Sequence, residues 1–332
     1  LPELVRYMEH NAIFDIQTEG EFLTQALRIF KFQYNNNPVY QAFCSYLNVA
    51  PSTVHTLEQI PFLPIEFFKS KNVLSTTNNP EITFTSSGTT GSETSKHFVT
   101  DLSLYEQSYL KAFKYFYGDI KDYCVLALLP SYLERTGSSL IYMADDLIKK
   151  SNHPKSGFFL NEYEQLHLLL RELQKTDTKI LIIGVSFALL EFTEQYQMSL
   201  HNTIIMETGG MKGRRKEIVR QELHELLSMG FGVKHIHSEY GMTELLSQAY
   251  SKGNGIFDCP DWMKILVRDT EDPLSYLNNG KSGGINVIDL ANINSCSFIA
   301  TQDLGKINPN GTFEIIGRFD NSDIRGCNLM VL

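Results

Sequence analysis

The stretch ITFTSSGTTGSETSKHF, residues 82–98, divides the chain. Its first residues, ITFTS, alternate apolar and polar side chains and read as a strand. From Ser86 to Ser95 no apolar side chain follows, and Lys96 closes the run with one cation. Glycines such as Gly88 and Gly91 let backbone N–H groups approach phosphate oxygens closely. Ser86, Ser87, Thr89 and Thr90 add hydroxyl donors, and a lysine neutralises charge that moves during reaction. A polyphosphate fits such a loop, and a plain surface turn is the other reading. The loop is not a GxxxxGK[ST] sequence, because Lys96 follows Ser95. No GxGxxG dinucleotide fingerprint is present either.

Working outward, the texture differs on the two sides. Residues 1–60 read as helical, with EFLTQALRIFKFQY as an amphipathic run. IPFLPIEFF is broken by Pro61 and Pro64 and reads as an extended connector. After the loop, DLSLYEQSYLKAFKYF reads as a helix capped by Asp101 or Ser103. The runs CVLALLP, KILIIG, NTIIMET and VKHIHSE read as strands. They alternate with the helices GSSLIYMADDLIKK, EYEQLHLLLRELQK and RRKEIVRQELHELLSMG, the last with a glycine stop. Continuous apolar strands between helices imply a mostly parallel sheet covered on both faces. Past Gly253 come short strands and turns: WMKILVRD, GGINVIDL, SFIATQDLG and GTFEIIGR, a β-rich subdomain. The expected division is a helical region and connector over 1–80, an α/β nucleotide-binding core over 81–252, the β-rich part over 253–318, and a hinge and tail over 319–332.

Composition narrows the function. The 332 residues are 42% apolar, enough for a sizeable core. With 29 basic and 38 acidic residues the net charge is −9, so no basic field favours nucleic acid. The basic run MKGRRKE, 211–217, reads as a solvated helix start. The five cysteines are scattered, without metal spacing, and read as reduced thiols of a cytoplasmic protein. The longest apolar run, ILIIGVSFALLEF from Ile180, is too short to span a bilayer. No signal peptide opens the chain, and the lack of an initiator Met suggests residues missing in front.

Five motifs in order resemble the adenylate-forming superfamily of acyl-CoA synthetases, peptide-synthetase adenylation domains and firefly luciferase. They are TSSGTTGSETSK (85–96), METGGMKG (206–213), HSEYGMTE (237–244), ATQDLGK (300–306) and GRFDNSDIRG (317–326). The resemblance implies the superfamily's α/β large domain and ATP as cofactor. It implies that Ser86, Ser87, Gly88, Thr89, Thr90 and Gly91 wrap the β- and γ-phosphates, with Lys96 adding charge. Thr243 would contact the α-phosphate and Glu244 would hold Mg2+. Tyr240 would stack on adenine, within a signature that also carries Glu239, Gly241 and Met242, with Gly209 and Gly210 along the other edge. Asp303 would accept from the ribose hydroxyls, and Arg318 would lie near ribose and phosphate. In ATQDLGK, Gln302 stands where the superfamily has glycine.

Superfamily members continue past the hinge signature into a small lid domain that carries a lysine. Here the sequence ends at IRGCNLMVL, so that domain is expected to be absent or truncated. IPFLPIEFFK (60–69) and CPDWMKILVRDTEDPL (259–274) are similar to the acyl-protein synthetases of the bacterial luciferase system. That branch activates a fatty acid and carries it on its own cysteine near the C-terminus. Cys327 is the cysteine so placed, either as nucleophile or as a small packing residue; Cys259 is the weaker alternative. The implied partner is an acyl-accepting reductase or carrier protein. Two other readings stand beside this one: an acyl- or aryl-CoA ligase, and a nucleotide-binding scaffold without catalysis.

Overall fold

The structure, a computed structural model, describes residues 12–86, 94–129, 137–209 and 218–319. Helix α1 (Glu19–Asn36) starts at Thr18, whose hydroxyl accepts from Glu21 N–H while the Glu21 carboxylate accepts from Thr18 N–H. That reciprocal cap holds two otherwise unpaired donors. Asn37 then caps α2 (Pro38–Tyr46), which carries proline in its first turn, where no donor is lost. The run expected to be a connector yields β1 (Leu63–Pro64) and a one-turn helix α3 (Phe67–Ser70). β2 (Ile82–Thr85) and β3 (Lys96–Val99) pair antiparallel as a separate two-stranded sheet.

Strand and helix then alternate as the sequence indicated. α4 (Leu102–Tyr117), capped by Asp101, leads to β4 (Tyr123–Leu128), α5 (Ser139–Ser151), β5 (Gly157–Phe159) and α6 (Tyr163–Leu173). β6 (Lys179–Val185) runs straight into α7 (Ser186–Gln195), so the long apolar run ILIIGVSFALLEF is a strand followed by a helix. β7 (Thr203–Thr208), α8 (Arg220–Phe231) and β8 (His237–Tyr240) complete this part. The rest is β9 (Ala249–Ser251), β10 (Ile256–Asp258), β11 (Met263–Arg268), β12 (Ser282–Asp289), β13 (Phe298–Ile307) and β14 (Phe313–Arg318).

Apart from the β2–β3 pair, the strands form one 12-stranded sheet in the order β11-β12-β13-β14-β10-β9-β8-β7-β6-β4-β5, with β1 against β13. Strands β5, β4, β6, β7 and β8 are mutually parallel. From the β8–β9 pair onward the main ladder is antiparallel, beginning at Ala249, before the boundary expected at residue 253. Hydrogen bonding therefore continues without a break from one part to the other. Side chains of β4, β6 and β7 alternate between two cores: Val125, Leu181, Ile183 and Met206 on one face, Leu126, Ile180, Ile182 and Ile205 on the other. Burial on both faces explains why these strands are apolar throughout.

One helix end differs from the sequence reading. The stretch ending at Gly230 was expected to stop there, yet α8 continues to Phe231 and the left-handed cap is Gly232, φ +65°. Gly230 is instead a close-approach position: a Cβ there would lie 2.4 Å from Thr193 Cβ on α7. Among the described residues, no helix is long and apolar enough to cross a membrane.

Candidate active site

In parallel α/β sheets, ligands collect beyond the carboxyl ends of the strands. Here β7 ends at Thr208 and turns at Gly209, and β8 ends at Tyr240. Gly209 has φ +65°, and its carbonyl accepts from the Ser186 hydroxyl at 2.6 Å. Glu239, half-buried beside Thr208, accepts that residue's hydroxyl at 2.6 Å. Burial raises the Glu239 carboxyl to about 7, and the nearby Glu207 carboxylate adds to the rise. At Gly241 a Cβ would stand 2.3 Å from Glu239 Oε1, so a side chain there would displace that carboxylate.

Tyr240 and Asp303 meet directly. The Tyr240 hydroxyl donates to Asp303 Oδ2 at 2.8 Å, and its ring packs edge-on against Phe257 and Phe313. Burial raises the Asp303 carboxyl, opposed by that hydrogen bond and by the positive fields of Arg318 and Arg268. Arg318 Nε lies 3.9 Å from Asp303 Oδ1, and Arg318 Nη2 donates to Gln302 Oε1 at 3.3 Å. Gln302 sits within the extended strand β13, so the missing glycine is not needed for a left-handed torsion. Its amide also donates to Glu66, which ties the 60–69 stretch to this edge.

The third contribution comes from the β2–β3 hairpin. Its mouth is closed by Ser86 N–H donating to Ser95 C=O at 3.1 Å and Ser95 N–H donating to Ser86 Oγ at 2.9 Å. Lys96, exposed, follows at once. Ser87, Gly88, Thr89, Thr90, Gly91, Gly210 and Cys327 lie outside the described residues. Glu244 is 5% exposed. Burial raises its carboxyl, while the Ser95 hydroxyl and the fields of Arg318 and Lys69 favour the charged form. The Thr243 carbonyl faces His97 Nδ1 at 2.8 Å, and Met242 packs partly into the core.

The strand that carries Lys96 thus meets the Thr243–Glu244 segment through His97 and Ser95, and Arg318 lies near both Glu244 and the Tyr240–Asp303 pair. Sequence reading missed His97, Asn292 and Ser95, and it missed Lys69 and Glu66 within a stretch it took for a connector. Alternating prolines concealed that stretch; the only available signal was the likeness of IPFLPIEFFK itself. Among the described residues, no group of three His, Cys, Asp or Glu could hold a metal unaided. A single buried carboxylate suits Mg2+ that leans on substrate phosphates and waters. Of the described cysteines, Cys44, Cys124 and Cys296 are buried. Burial pushes the Cys44 thiol up to about 12 and Cys124 to about 11. Cys259 is pushed up as well, with Asp258 adding to the effect of burial, so it is a poor nucleophile.

The profile of the family described as "Acyl-protein synthetase, LuxE" matches residues 17–332. The long-chain-fatty-acid–luciferin-component ligase of Vibrio harveyi is 23% identical over 324 residues, 90% of this chain and 84% of that protein. The protein of the same name from Aliivibrio fischeri is 23% identical over 326 residues, 90% of this chain and 85% of its own. Among solved structures, 2-hydroxyisobutyryl-CoA ligase bound to 2-HIB-AMP superposes with a TM-score of 0.66 at 10% identity, covering 91% of this chain and 68% of that one. ATP-bound MatB from Rhodopseudomonas palustris gives 0.53 at 18% identity, covering 71% of this chain; the match spans 47% of the MatB chain.

Proposed function

The chain belongs to the acyl-protein synthetase family, LuxE, and from that premise we propose that it activates a carboxylic acid with ATP and passes the acyl group to a thiol. Mixed anhydride formation joins the acid's carboxylate oxygen to the α-phosphorus of ATP and expels pyrophosphate. The protein must hold two anions together and stabilise charge on the leaving group. The observation that carries the reading is the convergence of the Lys96 strand, the Thr243–Glu244 segment and the Tyr240–Asp303 pair on one strand edge.

Each group has a task that its surroundings suit. Lys96, at the exit of the phosphate loop, offers a cation to the departing pyrophosphate. Asp303 keeps lone pairs for the ribose hydroxyls after accepting from Tyr240. The Tyr240 ring, fixed by Phe257 and Phe313, offers a preset surface to the base. Arg318, mostly exposed, can turn from Gln302 toward ribose or phosphate. Glu244 would hold Mg2+, which when bound would neutralise phosphate charge; burial raises the carboxyl, and Ser95, Arg318 and Lys69 oppose that rise.

In the second half-reaction the Cys327 thiol gives its proton to solvent, the thiolate sulfur bonds to the acyl carbonyl carbon, and the carbon–oxygen bond to AMP breaks, its electron pair staying on the AMP phosphate oxygen. The acyl thioester remains on the protein and AMP leaves. The fatty acid as substrate follows the relatives' names, and the onward partner is an acyl-accepting reductase or carrier, as the resemblance in the sequence implies. A thiol acceptor of this kind requires a reducing compartment, consistent with a cytoplasmic location. The test is pyrophosphate exchange into ATP over a series of carboxylic acids, followed by labelling with the acid that supports it. Exchange by at least one acid, strongest for long-chain acids, is expected. A purified protein that binds ATP yet exchanges with none is a scaffold. One that labels nothing and releases acyl-CoA when coenzyme A is added is a CoA ligase.

A further inference from the structure

Behind the cation and the carboxylate lies a histidine that no motif singled out. His97 follows Lys96 on β3 and is 1% exposed. Its Nδ1 stands 2.8 Å from the Thr243 carbonyl oxygen, and its Nε2 stands 3.0 Å from Asn292 Oδ1. Asn292 cannot be turned the other way, because its Nδ2 donates to the Glu244 carbonyl at 2.8 Å and to the Cys296 carbonyl at 2.9 Å. Both neighbours of the ring are therefore acceptors. A neutral imidazole has a single N–H to give. Phe68 closes the remaining side, edge-on at 5.8 Å between ring centroids.

We propose that His97 is a positioning residue for acyl-adenylate formation, fixing the Thr243–Glu244 segment to the strand that carries Lys96. The inference rests on the function proposed above. The ring holds its one proton on Nδ1, where the shorter contact lies, and donates it to the Thr243 carbonyl. Burial lowers the imidazole to about 4, so the ring stays neutral near physiological pH and brings no charge into a site that must keep its cations for phosphate. Asn292 carries the same frame one residue further, to the Glu244 main chain. The strand that carries Lys96 and the segment that carries Glu244 are thus tied together by two buried side chains, His97 and Asn292. Displacement of a reacting group by about 1 Å can cost about a hundredfold in rate.

Three measurements test this. In protein labelled with 15N-histidine, the His97 ring at pH 7.5 is expected to show a protonated Nδ1 and an unprotonated Nε2; the opposite tautomer overturns the proposal. His97→Phe keeps the contact with Phe68 but has no donor. It is expected to lower kcat for pyrophosphate exchange by about 10- to 100-fold while KM for ATP stays within about threefold. Calorimetry should show Mg2+ tightening ATP binding to a similar degree in the wild type and in His97→Phe, so that the loss falls on kcat; loss of the Mg2+ effect in the variant overturns the positioning role. His97→Gln, whose amide can still donate to the Thr243 carbonyl, is expected to recover most of the lost kcat. Wild-type kcat in His97→Phe, or a glutamine variant no better than phenylalanine, makes His97 a packing residue. Absence of exchange in the wild type removes the proposed function and this inference with it. Exchange in the wild type that the variants leave unchanged removes the inference alone.

Discussion

Glu239→Gln deletes one titrating proton from the edge of the site while leaving an oxygen for the Thr208 hydroxyl. In the folded protein the Glu239 carboxyl is raised from 4.5 to about 7, burial being the first cause. The folded state therefore holds a proton that the unfolded chain releases, and stability falls as pH rises across that interval. At about 1.4 kcal/mol per pH unit, the interval is worth about 3 kcal/mol. The cost is absent below about pH 4.5 and fully present above about pH 7. Urea unfolding of wild type and Glu239→Gln at pH 4.5, 6, 7 and 8 gives the difference between the two proteins. That difference should move against the wild type by about 3 kcal/mol, nearly all of it between the first and third points. Other groups, such as His97 and His237, both lowered to about 4, titrate in both proteins and cancel. A difference that stays within about 0.5 kcal/mol over the whole range refutes the reasoning, because Glu239 would then ionise in the folded protein as it does in the unfolded chain.

Lys96→Ala should lower the pyrophosphate-exchange rate by about 10²–10³ while ATP binding changes less, since removing one donor to developing charge typically costs that much; an unchanged exchange rate removes the role. Glu244→Gln should raise the Mg2+ concentration needed for half-maximal exchange without unfolding the chain, checked by circular dichroism alongside the titration. Cys327→Ser should still form acyl adenylate but retain no hydroxylamine-labile label from radioactive fatty acid, because a serine hydroxyl is far less ionised than a thiol near neutral pH; label mapped to Cys259 moves the nucleophile. Gly230→Val should destabilise the protein by about 1–3 kcal/mol through its collision with Thr193, read from urea unfolding, with the exchange KM for ATP preserved.

The alternating core was legible because β4, β6 and β7 are covered on both faces and so carry unbroken apolar runs. α7 was not, because Ser186–Gln195 is almost wholly buried and shows no amphipathic period to separate it from β6. β1 and α3 were hidden for a different reason. Pro61 and Pro64 suppress both helix and strand signals, and the pairing that makes Leu63–Pro64 a strand comes from Ile299 and Ala300, far along the chain. At the site, Lys96, Thr243, Glu244, Tyr240 and Asp303 stood out because each lies in a local motif of characteristic spacing. His97 and Asn292 are 195 residues apart, and neither falls inside one of the five motifs. Only folding makes them partners.

The Tyr240–Asp303 contact shows how the sheet itself builds the site. In the strand order, β8 and β13 are separated by β9, β10 and β14. Four steps across a flat sheet amount to about 19 Å. A tyrosine and an aspartate side chain together reach roughly half of that, yet the hydroxyl and carboxylate are 2.8 Å apart. The sheet must therefore curl between the parallel strands and the antiparallel part. Tyr240 lies across the inside of that curl, against Phe257 of β10 and Phe313 of β14. Those two rings stack with centroids 5.4 Å apart. The placement of Tyr240 against Asp303, the pair proposed to meet base and ribose, then depends on apolar packing in β10 and β14. Substitutions that thin this packing, at Phe257 or Phe313, should weaken ATP binding without touching the ligand.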